Sequence, residues 1–354
     1  MTAYIPWNSP EFAAALNLQR SIGLIDMHVD PILQTRLFSY DIAREHKAGR
    51  PGQPLFWHSD IPRMQQAGYG TVCMGIHWYP WESERGWHEA LKQIDLLDAL
   101  ARNNPDVCAR PGCAAEIGNA ASAGKLSLIP GVEGAHIING KLERVAELAR
   151  RGTAYMTLAH FSKNAAATPS MGRGANERDG LTDFGVTLVQ ELNRHRIVVD
   201  VSHLNMPCAI QACRASSRPV LATHSGARGL NDAARLLSDE AIDAVAATDG
   251  VVGVIFAPGF LTGKLNADSH AVADHIEYIV KRVGIRHVGL GSDYDGWLPR
   301  IPSDQRDCRD LVKITHILLQ RGWSESSIAL LLRDNVVRVM TASAAGAPVE
   351  PPTD

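Results

Sequence analysis

Seven imidazole and carboxylate side chains fall at comparable places in this 354-residue chain. His28 and Asp30 stand one residue apart in DMHVD, Glu133 follows LSLIPGV, and His160, His203, His224 and Asp293 each close a short apolar run. Where the backbone is extended, residues i and i+2 point the same way, so His28 and Asp30 share a side. Alone, that pair is equally well explained as a histidine held by a carboxylate. Joined to Glu133, His203, His224 and Asp293, it becomes a set of imidazoles and carboxylates able to grip metal. Six ligands exceed the need of one tetrahedral zinc but suit two ions sharing a carboxylate. The lack of thiolate fits catalytic zinc, with manganese, cobalt and iron as alternatives. Two ions side by side could hold a hydroxide and polarise a carbonyl, which is the chemistry of hydrolysis.

Other motifs lead nowhere. GLGSDYDG lacks the third glycine of a dinucleotide fingerprint in register. Neither Ser225 nor Ser292 sits in G-x-S-x-G, and no G-K-[ST] phosphate loop occurs. His46, His58, His88, His195, His270, His275, His287 and His316 fall on expected loops or helices and read as surface residues. His77 and Trp78 end a strand and are candidates either to line a pocket or to pack in the core. His136 lies close enough to Glu133 for a supporting role.

The elements that must position these residues are eight short β-rich runs: IGLID, GTVCMGIHW, LSLIPGVEG, AYMTLAH, IVVDVSH, PVLATHS, GVVGVIF and HVGLGSD. Several are almost wholly apolar, as parallel strands covered on both faces must be. Between them lie stretches of helical period such as HEALKQIDLLDALAR, LERVAELARR, FGVTLVQELNRHR and AVADHIEYIVKRV. Strand then helix, eight times over, predicts an α/β fold of the (β/α)8 TIM barrel type, with the chemistry at the C-terminal mouth. Residues 1–345 read as a single barrel domain with loop insertions near 34–60 and 162–182, and 346–354 as a frayed tail.

Lys and Arg number 35 against 38 Asp and Glu, a formal charge of -3, which offers no general attraction for nucleic acid or an anionic membrane. Hydrophobic residues at 45% and charged residues at 21% are those of a globular chain. The first twenty residues show no basic leader with an apolar core, and the longest apolar run, GVVGVIFAPGFL, is broken by proline and glycine. Cys73, Cys108, Cys113, Cys208, Cys213 and Cys308 form no C-x-x-C pair and read as reduced core residues, giving an expected cytoplasmic location.

With these residues placed, the chain closely resembles the membrane (renal-type) dipeptidase family of binuclear zinc peptidases, within the metal-dependent amidohydrolase barrels. The resemblance is carried by DMHVD, DIPRMQQAGYG, GVEGAH, DGLTDFGVTLVQELNRHRIVVDVSH, THSGAR, GLGSDYDG and RGWSESSIALLLRDNVVRVM, in that order and spacing. It implies that two Zn2+ ions are bound, one by His28, Asp30 and Asp293, the other by His203 and His224, with Glu133 bridging. It further implies that His160 touches the substrate carbonyl region and that Arg235 receives the substrate's terminal carboxylate, which suits a guanidinium fork. A surface charge flanking a helix is the alternative for Arg235. The implied reaction is attack of a metal-bridging hydroxide on the peptide bond of a dipeptide-like substrate, with His160 stabilising the oxyanion and Asp293 moving the proton.

Several positions depart from the family pattern. Met27 and Val29 replace the glycine and asparagine of D-G-H-N-D, and Ile76-His77-Trp78 stands where Q-F-W is common. Leu236 replaces an asparagine and Ala257 an aromatic residue. These changes keep open a non-peptide amide, N-acyl amino acid or lactam as substrate, and a non-catalytic metal-binding barrel is a further alternative. Renal-type members carry an export signal and lipid anchor, neither of which is carried over here. Two-fold oligomers are common enough that a homodimer is expected.

Overall fold

A computed structural model describes residues 4–79, 81–111 and 124–344. Eight parallel strands form its centre: β1 (Leu24–Val29), β2 (Tyr69–Ile76), β3 (Leu126–Glu133), β4 (Tyr155–Thr157), β5 (Val198–Asp200), β6 (Leu221–Ser225), β7 (Val251–Val254) and β8 (Val288–Leu290). Each pairs in parallel with the next in chain order. The first and last strands close the ring just beyond β8, where Asp293 N donates to His28 O (2.9 Å) and Asp30 N to Tyr294 O (2.8 Å). This is the expected barrel. A two-residue strand, Cys108–Ala109, adds itself beside the start of β3.

Every residue of the eight strands is buried, which explains their near-continuous apolar character. Ile25, Met27, Cys73, Ile129, Tyr155, Val198, Leu221 and Val251 fill the barrel interior. Val336, Val339 and Met340 of the helix Asn335–Ala344 join the same cluster. A larger apolar shell lies between the strands and the surrounding helices. The predicted helical stretches correspond to Glu84–Asn103, Arg144–Arg150, Asp183–Arg194 and Ser269–Val283. Ser83 and Thr182 cap two of them, accepting from Gly86 N and Gly185 N at 3.0 Å each.

The stretch 34–60 was expected to lack regular structure, yet it opens inside the helix Pro31–Phe38, which begins directly after Asp30 with proline in its first turn. The rest is stitched to the segment after β8. Asp295 accepts from His58 N (2.7 Å) and Ser59 N (3.0 Å), and Asp295 N donates to His58 Nδ1 (3.1 Å). His58 is therefore buried, as is His275, whose Nε2 meets Leu261 O at 2.9 Å. Their expected surface placement is corrected accordingly. The segment 162–182 leaves β4 and folds back on itself through a bridge between Ser162 and Arg173. The tail 346–354 and Cys113 lie outside the described residues.

Candidate metal centre and active site

The seven residues singled out at strand ends meet at one end of the barrel. Glu133 lies at their centre. Its Oε1 is 3.0 Å from His203 Nε2, 3.3 Å from His28 Nε2 and 3.4 Å from His224 Nε2. His28 Nε2 lies 3.4 Å from Asp30 Oδ1 and 4.0 Å from Asp293 Oδ1. His160 approaches from the other side, its Nε2 3.5 Å from Glu133 Oε2. Chemically compatible triads form among them: His28 with Glu133 and His224, Glu133 with His160 and His203, and His28 with Asp30 and Asp293.

The backbone places these groups at some local expense. His203 (φ 66°) and Asp293 (φ 59°) both adopt the left-handed conformation, uncommon for residues with a side chain. Such torsions persist only where the surroundings impose them. Two glycines make room: a Cβ at Gly75 would overlap the Asp30 carboxylate, and one at Gly296 would overlap that of Asp293. A shift in register between Asp26 and Val29 lets β1 turn Met27 inward and still deliver His28. Met27 is fully buried against Gly253 and Gly289 in the barrel interior.

Hydrogen bonds fix which ring nitrogen faces the centre. Asp200 accepts from Thr157 Oγ1 (2.6 Å), Thr223 Oγ1 (2.9 Å) and Thr223 N (2.8 Å). Because the Thr223 hydroxyl hydrogen is given to Asp200, its oxygen is left to accept from His224 Nδ1, 2.8 Å away. His224 therefore presents a bare Nε2 inward. The other nitrogen of His28, Nδ1, is occupied by the Tyr155 hydroxyl at 2.6 Å. His203 Nε2 and His224 Nε2 face each other at 2.9 Å. His28 Nε2 and Asp30 Oδ1 are buried with no hydrogen-bond partner. Inward lone pairs crowded on carboxylates, with orphaned buried atoms among them, fit divalent cations.

Asp200, Thr223 and Tyr155 are not marked out by the sequence. Each sits inside a run read only as strand, and the signal was faint: a polar residue on an otherwise apolar stretch, close to a chemistry-bearing histidine.

Electrostatics follow from burial. It pushes His203 and His224 well below the ordinary histidine range, with Arg235 adding to the effect. His160 is brought down to about 3 by burial, against the pull of Glu133, so its ring is neutral. Burial also raises Asp293, and the nearby Asp30 and Glu133 reinforce that direction. Glu133 moves well below its usual value, since the surrounding imidazoles of His160, His28, His203 and His224 overcome its burial. Arg235 is not a surface charge. It is 3% exposed, and neither Nη1 nor Nη2 has a hydrogen-bond partner. A guanidinium held dry without a carboxylate is costly, and an incoming anion would complete it.

Residues 12–349 match the family described as membrane dipeptidase, peptidase family M19. Among solved structures, the dipeptidase AC, a metallo peptidase of family M19, is 26% identical and superimposes with a TM-score of 0.80 over 90% of this chain and 98% of its own. The probable dipeptidase PvdM from Pseudomonas aeruginosa, 19% identical, shares the fold at a TM-score of 0.84 over 95% of this chain and 99% of its own. A Rhodobacter sphaeroides metallo peptidase, solved with a phosphinate mimic of the dipeptide L-Ala-D-Ala, is 24% identical, with a TM-score of 0.79 over 90% of this chain and 99% of its own. With the family match running almost from end to end over a barrel whose mouth gathers imidazoles and carboxylates, the chain belongs to the membrane dipeptidase family, M19, and is a metallopeptidase-type dipeptidase.

Proposed function

We propose that this protein is a dinuclear zinc dipeptidase that cleaves short peptides bearing a free C-terminal carboxylate. The observation that carries the reading is the convergence of three imidazole Nε2 atoms on one Glu133 oxygen, at 3.0 to 3.4 Å, with Asp30 and Asp293 beyond. His28, Asp30 and Asp293 would hold one ion, His203 and His224 the other, and Glu133 would bridge them. When bound, such ions polarise a carbonyl and acidify water.

The chain's own residues supply the remainder. Arg235 receives the peptide's terminal carboxylate, which orients the scissile bond. His160, neutral and 3.5 Å from Glu133, donates from its ring to the oxygen of the tetrahedral centre. Asp293 takes the proton of the attacking water and returns it to the leaving amine as the C–N bond breaks. The similar Rhodobacter sphaeroides metallo peptidase was solved with a phosphinate mimic of L-Ala-D-Ala, which supports dipeptides as the substrate class. Five described cysteines, all buried and unpaired, support a reducing compartment such as the cytoplasm. Among the described residues, no helix is long and apolar enough to cross a membrane.

The test is a dipeptide panel, with D- and L-residues in second position, run alongside metal analysis of the purified protein. Two ions per chain with turnover of free dipeptides, and none of their C-terminal amides, is expected. Full metal loading without cleavage of any dipeptide would overturn the proposal.

A further inference from the structure

β2 brings more than space to the site. The pleat that directs the bare face of Gly75 at the Asp30 carboxylate directs the next residue but one, His77, to the same side. The peptide of His77 is held from two directions. Gln93 Nε2 donates to His77 O (2.9 Å) while Gln93 Oε1 accepts from His77 N (3.3 Å). Arg36 Nη1 also donates to His77 O, at 3.2 Å. A clamped backbone leaves the ring little freedom to wander from the direction the strand gives it.

That direction leads into the acid cluster. One ring nitrogen of His77 and carboxylate oxygens of Asp30 and Glu133 all lie within 4.8 Å of one another. The Nδ1 atom of His77 is buried and has no hydrogen-bond partner. An imidazole nitrogen kept from water without a partner is unfavourable by itself, and the arrangement becomes favourable once a cation accepts a lone pair from that ring. A phenylalanine, which commonly stands at this point in the resembling sequences, could offer nothing of the kind.

We propose that His77 is an additional metal ligand, donating a ring nitrogen to the ion held on the Asp30 side of Glu133. The inference rests on the dinuclear reading above. It adds a neutral nitrogen donor to an ion otherwise surrounded mainly by carboxylates, which strengthens its hold on zinc and other borderline metals relative to magnesium or calcium.

The experiment is a competition titration of the metal-free protein with zinc and a chromophoric chelator, which resolves two stepwise dissociation constants. His77→Phe and His77→Gln are compared with the parent, and thermal melting of each metal-free protein verifies folding. One constant should weaken by at least about 10-fold in both variants, the scale seen when support of a metal site is lost, while the other stays put. The visible spectrum of the cobalt-loaded parent should differ from that of cobalt-loaded His77→Phe. If a folded variant keeps both constants and the cobalt spectrum, His77 is not a ligand and the proposal falls. A change confined to KM for peptides with a free amine, with metal binding intact, overturns it in favour of substrate contact. Should the parent itself take up fewer than two ions, the dinuclear reading fails first and this inference with it.

Discussion

A histidine can serve a metal only if the right nitrogen is bare, and here that choice is made by residues that never reach the centre. Thr223 passes its hydroxyl hydrogen to Asp200 and so takes the Nδ1 hydrogen of His224. Thr223→Val keeps the shape and removes the relay. We expect metal affinity and kcat/KM to fall by about 10–100-fold, measured by chelator competition and dipeptide turnover, with little loss of fold. Arg235 makes the opposite case, a charge that is waiting for a partner. Arg235→Met should reduce kcat/KM toward free dipeptides by about 10- to 100-fold, the value of about one charge-assisted hydrogen bond. The same change should leave the metal-loaded protein as stable or more so by thermal melting, because a buried cation lacking hydrogen-bond partners is gone. Loss of stability without loss of carboxylate preference would show that the guanidinium is structural.

At the scale of elements, the strands were readable because burial on both faces leaves them little but apolar residues. The residues that end them were readable for a complementary reason, since a histidine or carboxylate closing such a run has few structural uses. What escaped the sequence depends on contacts between distant segments. His58 looked exposed because its partner Asp295 lies 237 positions away. Tyr155 sits within a run legible only as strand, although its hydroxyl ends on His28 Nδ1. The helix Pro31–Phe38 was hidden by its weak periodicity, its start being set by the proline that follows Asp30. Asp295 also gives this scale its prediction. Asp295→Ala strands the buried amides of His58 and Ser59, costing about 1–3 kcal/mol of stability for each, since buried donors left without acceptors are penalised. Limited proteolysis should then cut within residues 40–57 faster than in the parent.

The whole molecule separates its duties between two ends of one barrel. Val336, Val339 and Met340 pack into the interior cluster, while the imidazoles and carboxylates occupy the mouth. Met340→Ala should cost about 2–5 kcal/mol in chemical denaturation, the range for emptying a packed core site. Its kcat/KM at a temperature where the variant is folded should match the parent. Metal removal acts from the opposite end. Chelation leaves Asp30, Glu133 and Asp293 facing one another across a buried space, so the melting temperature should drop and recover on adding zinc, by about 4 kcal/mol when free metal is 1,000 times its dissociation constant.

The seam that completes the ring carries one more implication. Asp293 N donates to His28 O and Asp30 N to Tyr294 O, so the earliest and the latest of the seven gathered residues are joined directly by one hydrogen bond, with a second beside it. A polypeptide still emerging from the ribosome, with β8 not yet made, would own most of the donors but have no closed cradle for them. Assembly of the gathered site would thus wait until Asp293 and Tyr294 are in place.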